Sequence, residues 1–193
     1  MKLLHLDASS LGQHSVSREL SAAIVDQLAK EYPVLQITYR DLTAHPLPHW
    51  VPVVDAESQP AQLSQAVMDE FLAADIVVIG APMYNFGIPS QLKAWIDRVV
   101  VAGKTFRYTE GGPDGLAADK RVIVASSRGG VYSSGPAAGL DFQENYLRSV
   151  LGFIGITDVE FIRAEGVNMS AEHKAKAIAS AHHTIGSLAT KAA

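Results

Sequence analysis

The chain has no cysteine. That one absence excludes disulfides, thiolate nucleophiles, iron–sulfur clusters and Cys-ligated zinc, and it fits a reducing compartment. Cationic excess is missing too. Sixteen Lys and Arg stand against 20 Asp and Glu, for a net charge of −4, so no surplus exists to neutralise phosphates and no nucleic-acid partner is expected. Long hydrophobic runs are absent. The most apolar stretch, Ile76 to Met83, is broken by Gly80 and Pro82, far short of the roughly 20 residues a membrane helix needs. The opening Met-Lys-Leu-Leu-His-Leu-Asp reaches Asp7 before a signal-peptide core could form. No membrane association and a cytoplasmic location are therefore expected. Neither GxGxxG nor GxxxxGK[ST] occurs, which leaves a dinucleotide fingerprint or a P-loop unsupported. The seven histidines show no HExxH or similar spacing, so no metal site is expected.

What is present is a regular alternation of strand-length apolar runs and segments of helical period. Leu3–Leu6 reads as a strand covered on both faces. Leu20, Ile24 and Leu28 then mark a helix that ends before Pro33. Val34–Tyr39 alternates like an edge strand with one wetter face. Thr43–Pro60, with four prolines, is a long irregular connection of the kind that often serves as a lid or a partner contact. A helix over about Gln62–Ala74 leads to the central strand Ile76–Gly80. Pro89 opens the next helix, which runs through Trp95 and Val99. Gly103–Leu116 reads as a loop, Arg121–Ala125 as the fourth strand and Ser127–Gly139 as a long turn. A helix through Tyr146, Leu147 and Val150, the strand Val159–Ile162 and a closing helix Ala171–Leu188 complete the pattern. No linker or repeat divides it, and one domain over residues 1–193 is expected. Five strands alternating with helices imply an α/β doubly wound parallel sheet, helices on both faces, in the flavodoxin-like order 2-1-3-4-5.

Ligands of such sheets bind beyond the carboxyl ends of the strands, at the switch point of strand order. Three unusual segments fall there. After the first strand, Ser9-Ser10 and His14-Ser15-Val16-Ser17-Arg18 open a helix. Hydroxyls at a helix N-terminus, with free amides and a positive dipole end, suit a monophosphate, although Ser15 or Ser17 could equally serve as a plain cap. After the third strand, Met83-Tyr84-Asn85-Phe86-Gly87-Ile88-Pro89 is apolar and aromatic where the chain should meet solvent, as if a flat ring lay across it. After the fourth, Ser127-Arg128-Gly129-Gly130 allows close approach of backbone amides. A phosphate at one end and a flat ring at the other is the shape of flavin mononucleotide.

Ser9 with Ser15-Val16-Ser17, Met83 through Pro89, Leu92-Lys93-Ala94-Trp95-Ile96-Asp97-Arg98, Ser127 through Gly130 and Leu151 through Ile156 together resemble the FMN-dependent NADH:quinone oxidoreductase and azoreductase family. The likeness follows nearly the whole chain in order. It implies one FMN per subunit, its phosphate end held by Ser9, Ser15, Val16 and Ser17. The ring would pass along Met83, Tyr84, Asn85 and Phe86 and meet Ser127, Arg128, Gly129 and Gly130 at its other edge. It also implies homodimers with flavin sites at the interface. Tyr132 and Phe106 are the expected substrate contacts. NADH or NADPH would donate a hydride, and a quinone or azo compound would then take two electrons in a ping-pong cycle, with no protein catalytic residue required. The alternative is a flavodoxin-type non-enzymatic electron carrier, which is usually far more acidic than −4. A phospho-receiver domain would need clustered acids at the strand ends, where Asp7 stands alone.

Overall fold

The computed structural model describes residues 1–52 and 55–188. The expected Thr43–Pro60 connection and the expected domain end at residue 193 thus lie partly outside the described residues. The elements run β1 (Lys2–Asp7), α1 (Val16–Glu31), β2 (Gln36–Asp41), α2 (Gln59–Ala73), β3 (Ile76–Pro82), α3 (Ser90–Val99), β4 (Phe106–Thr109), β5 (Gly112–Gly115), β6 (Arg121–Ser127), α4 (Glu144–Phe153), β7 (Val159–Ala164) and α5 (Ala171–Gly186). β2-β1-β3-β6-β7 form one sheet, parallel throughout, and β4-β5 a separate antiparallel hairpin. With the hairpin set aside, this is the expected order 2-1-3-4-5.

The period-2 alternation of the strands divides the core between two faces. Leu4, Leu6, Val77, Ile79, Val122 and Val124 face α2, α3 and α4, with Phe71, Trp95 and Leu147 at the centre. Leu3, Ile76, Val78, Ile123 and Ala125 face α1 and α5 through Leu20, Ile24 and Ile185. Both faces are dry, which is why β3 and β6 read as continuous apolar runs.

Two expectations are corrected. The second strand is Gln36–Asp41, not Val34–Tyr39, and both of its faces are largely exposed. It is an edge strand whose register is set by pairing Lys2 with Gln36 and Asp7 with Asp41. That register brings Arg40 to Glu70 at 2.7 Å and Asp41 to Arg18 at 2.6 Å. The segment expected as a loop over Gly103–Leu116 contains the β4-β5 hairpin, turned through Glu110 and Gly111, with Gly112 opening β5 at φ +109°.

Candidate functional site

Three connections meet at the carboxyl edge of the sheet. The Ala8 amide donates to the Gly80 carbonyl at 3.0 Å, and the Met83 amide to the Ser127 carbonyl at 2.8 Å. The Tyr84 hydroxyl meets Ser10 Oγ at 3.0 Å and the Ser10 amide at 3.2 Å. The segments singled out in the sequence are thus brought together.

At the first, Ser9, Ser15, Val16 and Ser17 are all buried. Ser15 is the N-cap of α1: its Oγ accepts from the Arg18 amide at 3.3 Å and lies 3.1 Å from Ser17 Oγ. One serine therefore caps the helix and also joins the hydroxyl cluster. The Val16 and Ser17 amides are among those a helix cannot satisfy internally, and the dipole makes this end positive. His14 sits exposed in the short 3-10 turn Gly12–His14. Burial alone would raise the Tyr84 phenol, but the hydrogen bonds from Ser10 and Ser9 and the nearby Arg18 charge outweigh it and leave the group below its ordinary value.

At the second, Tyr84 and Gly87 close a two-residue hairpin by hydrogen bonds of 3.0 Å in each direction. Its central residues, Asn85 and Phe86, have φ +48° and +70°. This is a type I′ turn, which ordinarily takes Asn-Gly; Phe at the second position carries strain of about 1–3 kcal/mol. The Phe86 carbonyl accepts from the Phe142 amide at 3.1 Å, and the exposed Phe86 ring stands edge-on to Tyr132 with centroids 6.0 Å apart. Tyr132 is therefore beside the ring-side turn.

At the third, the carbonyls of Arg128, Gly129 and Gly130 accept from Val167 at 3.1 Å, Asn168 at 3.1 Å and Gly166 at 2.9 Å. In a trans peptide the N–H points away from the C=O, so the Gly129 and Gly130 amides face the other way; they have no acceptor among the described residues. A Cβ on Gly130 would press on the Tyr132 ring at 3.2 Å. The Arg128 side chain goes elsewhere. It is 1% exposed, and its guanidinium meets Asp141 at 3.0 Å, Glu165 at 3.2 Å, Glu144, Ser126 Oγ and Gln143. Its backbone, the part of this loop expected to approach a ligand, is what remains for one. Phe106, expected as a substrate contact, has its ring turned inward, 7% exposed against Phe153; Tyr108, packed edge-on to it, is the exposed one.

Three residues escaped the sequence reading. Arg18 was noted only as the end of the serine turn, yet it grips Ser9 and Asp41. Glu165 accepts from the Tyr132 and Ser133 amides at 2.8 and 2.9 Å, holding the segment after Gly130. Phe142 both pins the turn and lines an open groove of about 720 Å³ with Ile88, Ala94 and Tyr146. Arg18 lies 9 positions from Ser9 but 23 from Asp41, Glu165 lies 33 and 32 from Tyr132 and Ser133, and Phe142 pins Phe86 from a different element, so local spacing announces few of these contacts. No cluster of three or more His, Cys, Asp or Glu suited to a metal occurs among the described residues.

A profile of proteins with the flavodoxin-like fold matches residues 1–188. The chain belongs to this family. The resemblance drawn from the motifs is borne out by named relatives. It is 58% identical over 196 residues to an "FMN-dependent NADH:quinone oxidoreductase" of Rhizobium meliloti (strain 1021), covering 96% of this chain and 95% of the relative. It is 60% identical over 183 residues to a protein of the same name from Stenotrophomonas maltophilia (strain K279a), covering 94% and 92%. Among solved structures it resembles an azoreductase from Bacillus anthracis str. Sterne, with TM-score 0.88 and 30% identity over 96% and 97% of the two chains. An FMN-dependent NADH-azoreductase from Bacillus anthracis str. Ames Ancestor, solved in complex with FMN, matches with TM-score 0.85 and 25% identity over 98% and 99%.

Proposed function

We propose that the protein is an FMN-dependent oxidoreductase, one domain over residues 1–193, that takes a hydride from NADH or NADPH and reduces quinones by two electrons. By the same chemistry it cleaves aromatic azo compounds reductively. The observation that carries the reading is the meeting of buried hydroxyls and helix-terminal amides at one connection with an aromatic I′ turn and two unpartnered glycine amides at the others. The donor set fits FMN. Ser9, Ser15, Val16 and Ser17 would hold the phosphate, with the positive end of α1 behind it. Met83, Tyr84, Asn85 and Phe86 would follow the ring, and Ser127, Arg128, Gly129 and Gly130 its other edge. The relatives' names, at 58–60% identity over nearly the full chain, favour this enzyme over a one-electron carrier.

The cofactor, when bound, supplies the hydride acceptor and two-electron donor, so the chain need supply neither nucleophile nor metal. The Gly129 and Gly130 amides offer fixed donors to negative charge developing at the ring edge, where preorganisation lowers the barrier because nothing has to reorient. The exposed Phe86 ring keeps the approach to that face apolar. Tyr132, held edge-on to Phe86 and tied through its amide to Glu165, borders the space a substrate ring would enter.

A second copy of the chain is the expected partner. The groove of Ile88, Ala94, Phe142 and Tyr146 continues directly from the Phe86 turn, so a homodimer covering it would bring a neighbouring surface to the mouth of the site. A cytoplasmic location is consistent with the lack of cysteine, and no helix among the described residues is long and apolar enough to cross a membrane.

The test is spectroscopic. Purified protein mixed with FMN should retain it through gel filtration, bleach with NADH under argon and recover its yellow absorbance on addition of a quinone. Flavin that stays bound but is not reduced by NADH would return the carrier to first place, and failure to bind flavin would refute the site.

A further inference from the structure

Arg18 lies one position beyond the serines assigned to the phosphate, and it works from behind them. Its Nε and Nη2 donate to the Ser9 carbonyl at 3.1 and 2.8 Å. Its Nη1 and Nη2 donate to the two oxygens of Asp41 at 2.6 and 2.8 Å. Asp41 is itself fixed, because Oδ1 accepts from the Thr43 and Ala44 amides at 2.9 and 3.0 Å. A continuous chain of bonds therefore runs from the start of the β2–α2 connection through Asp41 and Arg18 to one peptide of the phosphate turn.

That peptide is the one whose orientation matters. Ser9 contributes the carbonyl and Ser10 the N–H, and in a trans peptide the two point in opposite directions. With the carbonyl gripped by Arg18, the Ser10 N–H is aimed at the Tyr84 hydroxyl, 3.2 Å away, on the side where the three connections meet. Ser9 Oγ lies on that side too, 3.4 Å from the same hydroxyl. Two partners on the carbonyl and two on the carboxylate leave the guanidinium little freedom, as bidentate geometry requires.

Arg18 could instead act through its charge. The surroundings argue against that. Its one positive charge faces the carboxylates of both Asp41 and Asp7, the latter at 3.7 Å, with the neutral Tyr39 hydroxyl at 3.3 Å and His5 also packed against Asp7. What reaches the far side of the turn is small: among the influences that lower the Tyr84 phenol, the Arg18 charge ranks behind the hydrogen bonds from Ser10 and Ser9.

We propose that Arg18, anchored by Asp41, is a positioning residue that locks the Ser9–Ser10 peptide with its N–H turned toward the cofactor phosphate. This rests on the assignment of the phosphate to Ser9 and Ser15–Ser17 made above.

FMN and riboflavin differ only in the phosphate, so their affinities separate this role from general stability. Full-length protein freed of flavin is titrated with each, following quenching of flavin fluorescence. The wild type should bind FMN more tightly than riboflavin. Arg18→Met should raise the FMN Kd by roughly 10- to 100-fold, the loss expected for charge-assisted hydrogen bonds. The riboflavin Kd should move by less than about threefold, within the context scatter of a bond it does not use. Asp41→Asn, which keeps size and shape, should shift FMN in the same direction by less and decides the matter if the methionine variant does not fold. Equal weakening of FMN and riboflavin, or no change in either, would overturn the proposal. Tighter FMN binding in Asp41→Asn would also overturn it, because freed positive charge would then be what matters. A wild type that binds both flavins equally, or neither, would refute the phosphate assignment itself, and that result is seen before any variant is compared.

Discussion

Replacing Arg128 with Met removes a charge from a fully buried position while keeping a long side chain there. Three carboxylates, Asp141, Glu144 and Glu165, converge on that guanidinium. Breaking a buried pair by removing one partner typically costs about 3–5 kcal/mol, because the remaining charge stays buried. Here each acid keeps some support. Asp141 Oδ1 accepts from the Gln143 and Glu144 amides, Glu144 retains Arg163 at 2.7 Å, and Glu165 retains the Tyr132 and Ser133 amides. The expected loss is therefore at the lower end, about 3 kcal/mol, still a large share of the stability of a domain this size. Urea unfolding of flavin-free protein at pH 7 measures it.

The same variant has a pH signature. Burial would raise the Glu165 carboxyl, but the hydrogen bonds of Ser133 and Tyr132 together with the Arg128 charge hold it below its ordinary value of 4.5. A depressed carboxylate contributes stability that is present above its unfolded pKa and is lost as pH falls through the folded one. Removing Arg128 shrinks that contribution, so the gap between wild type and Arg128→Met should narrow as pH drops below about 4.5. Glu165→Gln, which can still accept both amides, should cost only about 1–2 kcal/mol. A methionine variant within about 1 kcal/mol of wild type at pH 7 would refute the claim that this network holds the third connection.

Three further expectations follow from close contacts. Gly80→Ala would place a Cβ 2.2 Å from Asp7 Oδ1 and 3.2 Å from the Ser17 carbonyl, so it should destabilise by about 1–3 kcal/mol or more; an unchanged melting temperature would show that the β1–β3 edge yields more easily than it is packed. Phe86→Gly removes about 1–3 kcal/mol of strain and forfeits about 0.5–1.5 kcal/mol of contact with Tyr132. Flavin-free stability should therefore hold or rise while FMN retention falls, and a clear loss of stability would mean the turn is not strained. Tyr132→Ala should change the ratio of kcat/KM between large and small quinones with flavin content intact; lost flavin would move Tyr132 from the substrate side to the cofactor side.

The sheet was readable because both its faces are dry. Ile76–Val77–Val78–Ile79 cannot be polar on either side, so no environment other than a central strand suits it. β2 was misplaced by two residues for the converse reason. An exposed edge strand has no face that must be apolar, and Val34, 82% exposed, gave an apolar signal with no packing behind it. The three connections were legible from composition, but the direction of individual side chains was not. Arg128 looked like part of a ligand loop because it adjoins Gly129 and Gly130. Its acids lie 13 to 37 positions downstream, brought in by α4 and the end of β7, and no local spacing announces them. The direction of the Phe106 ring was hidden in the same way. An aromatic beside a loop can face either side, and the hairpin turns it into the core.

What unites the site is a rule about carbonyls. In each connection a backbone oxygen is held from behind: Ser9 by Arg18, Phe86 by the Phe142 amide, and Arg128, Gly129 and Gly130 by the amides of Val167, Asn168 and Gly166. Because N–H and C=O of one peptide oppose each other, fixing the oxygens fixes where the Ser10, Gly129 and Gly130 amides point, before any ligand arrives. Donors aimed in advance need not reorganise when charge develops, and that is where a protein gains most from polar groups at a site. The buried Arg128 and the half-buried Arg18 are costly to desolvate, and Phe86 is costly in φ, yet all three costs fall on the anchoring side. Fixed amides of this kind are what the proposed cofactor site requires, since water would accept those hydrogen bonds from a far looser backbone.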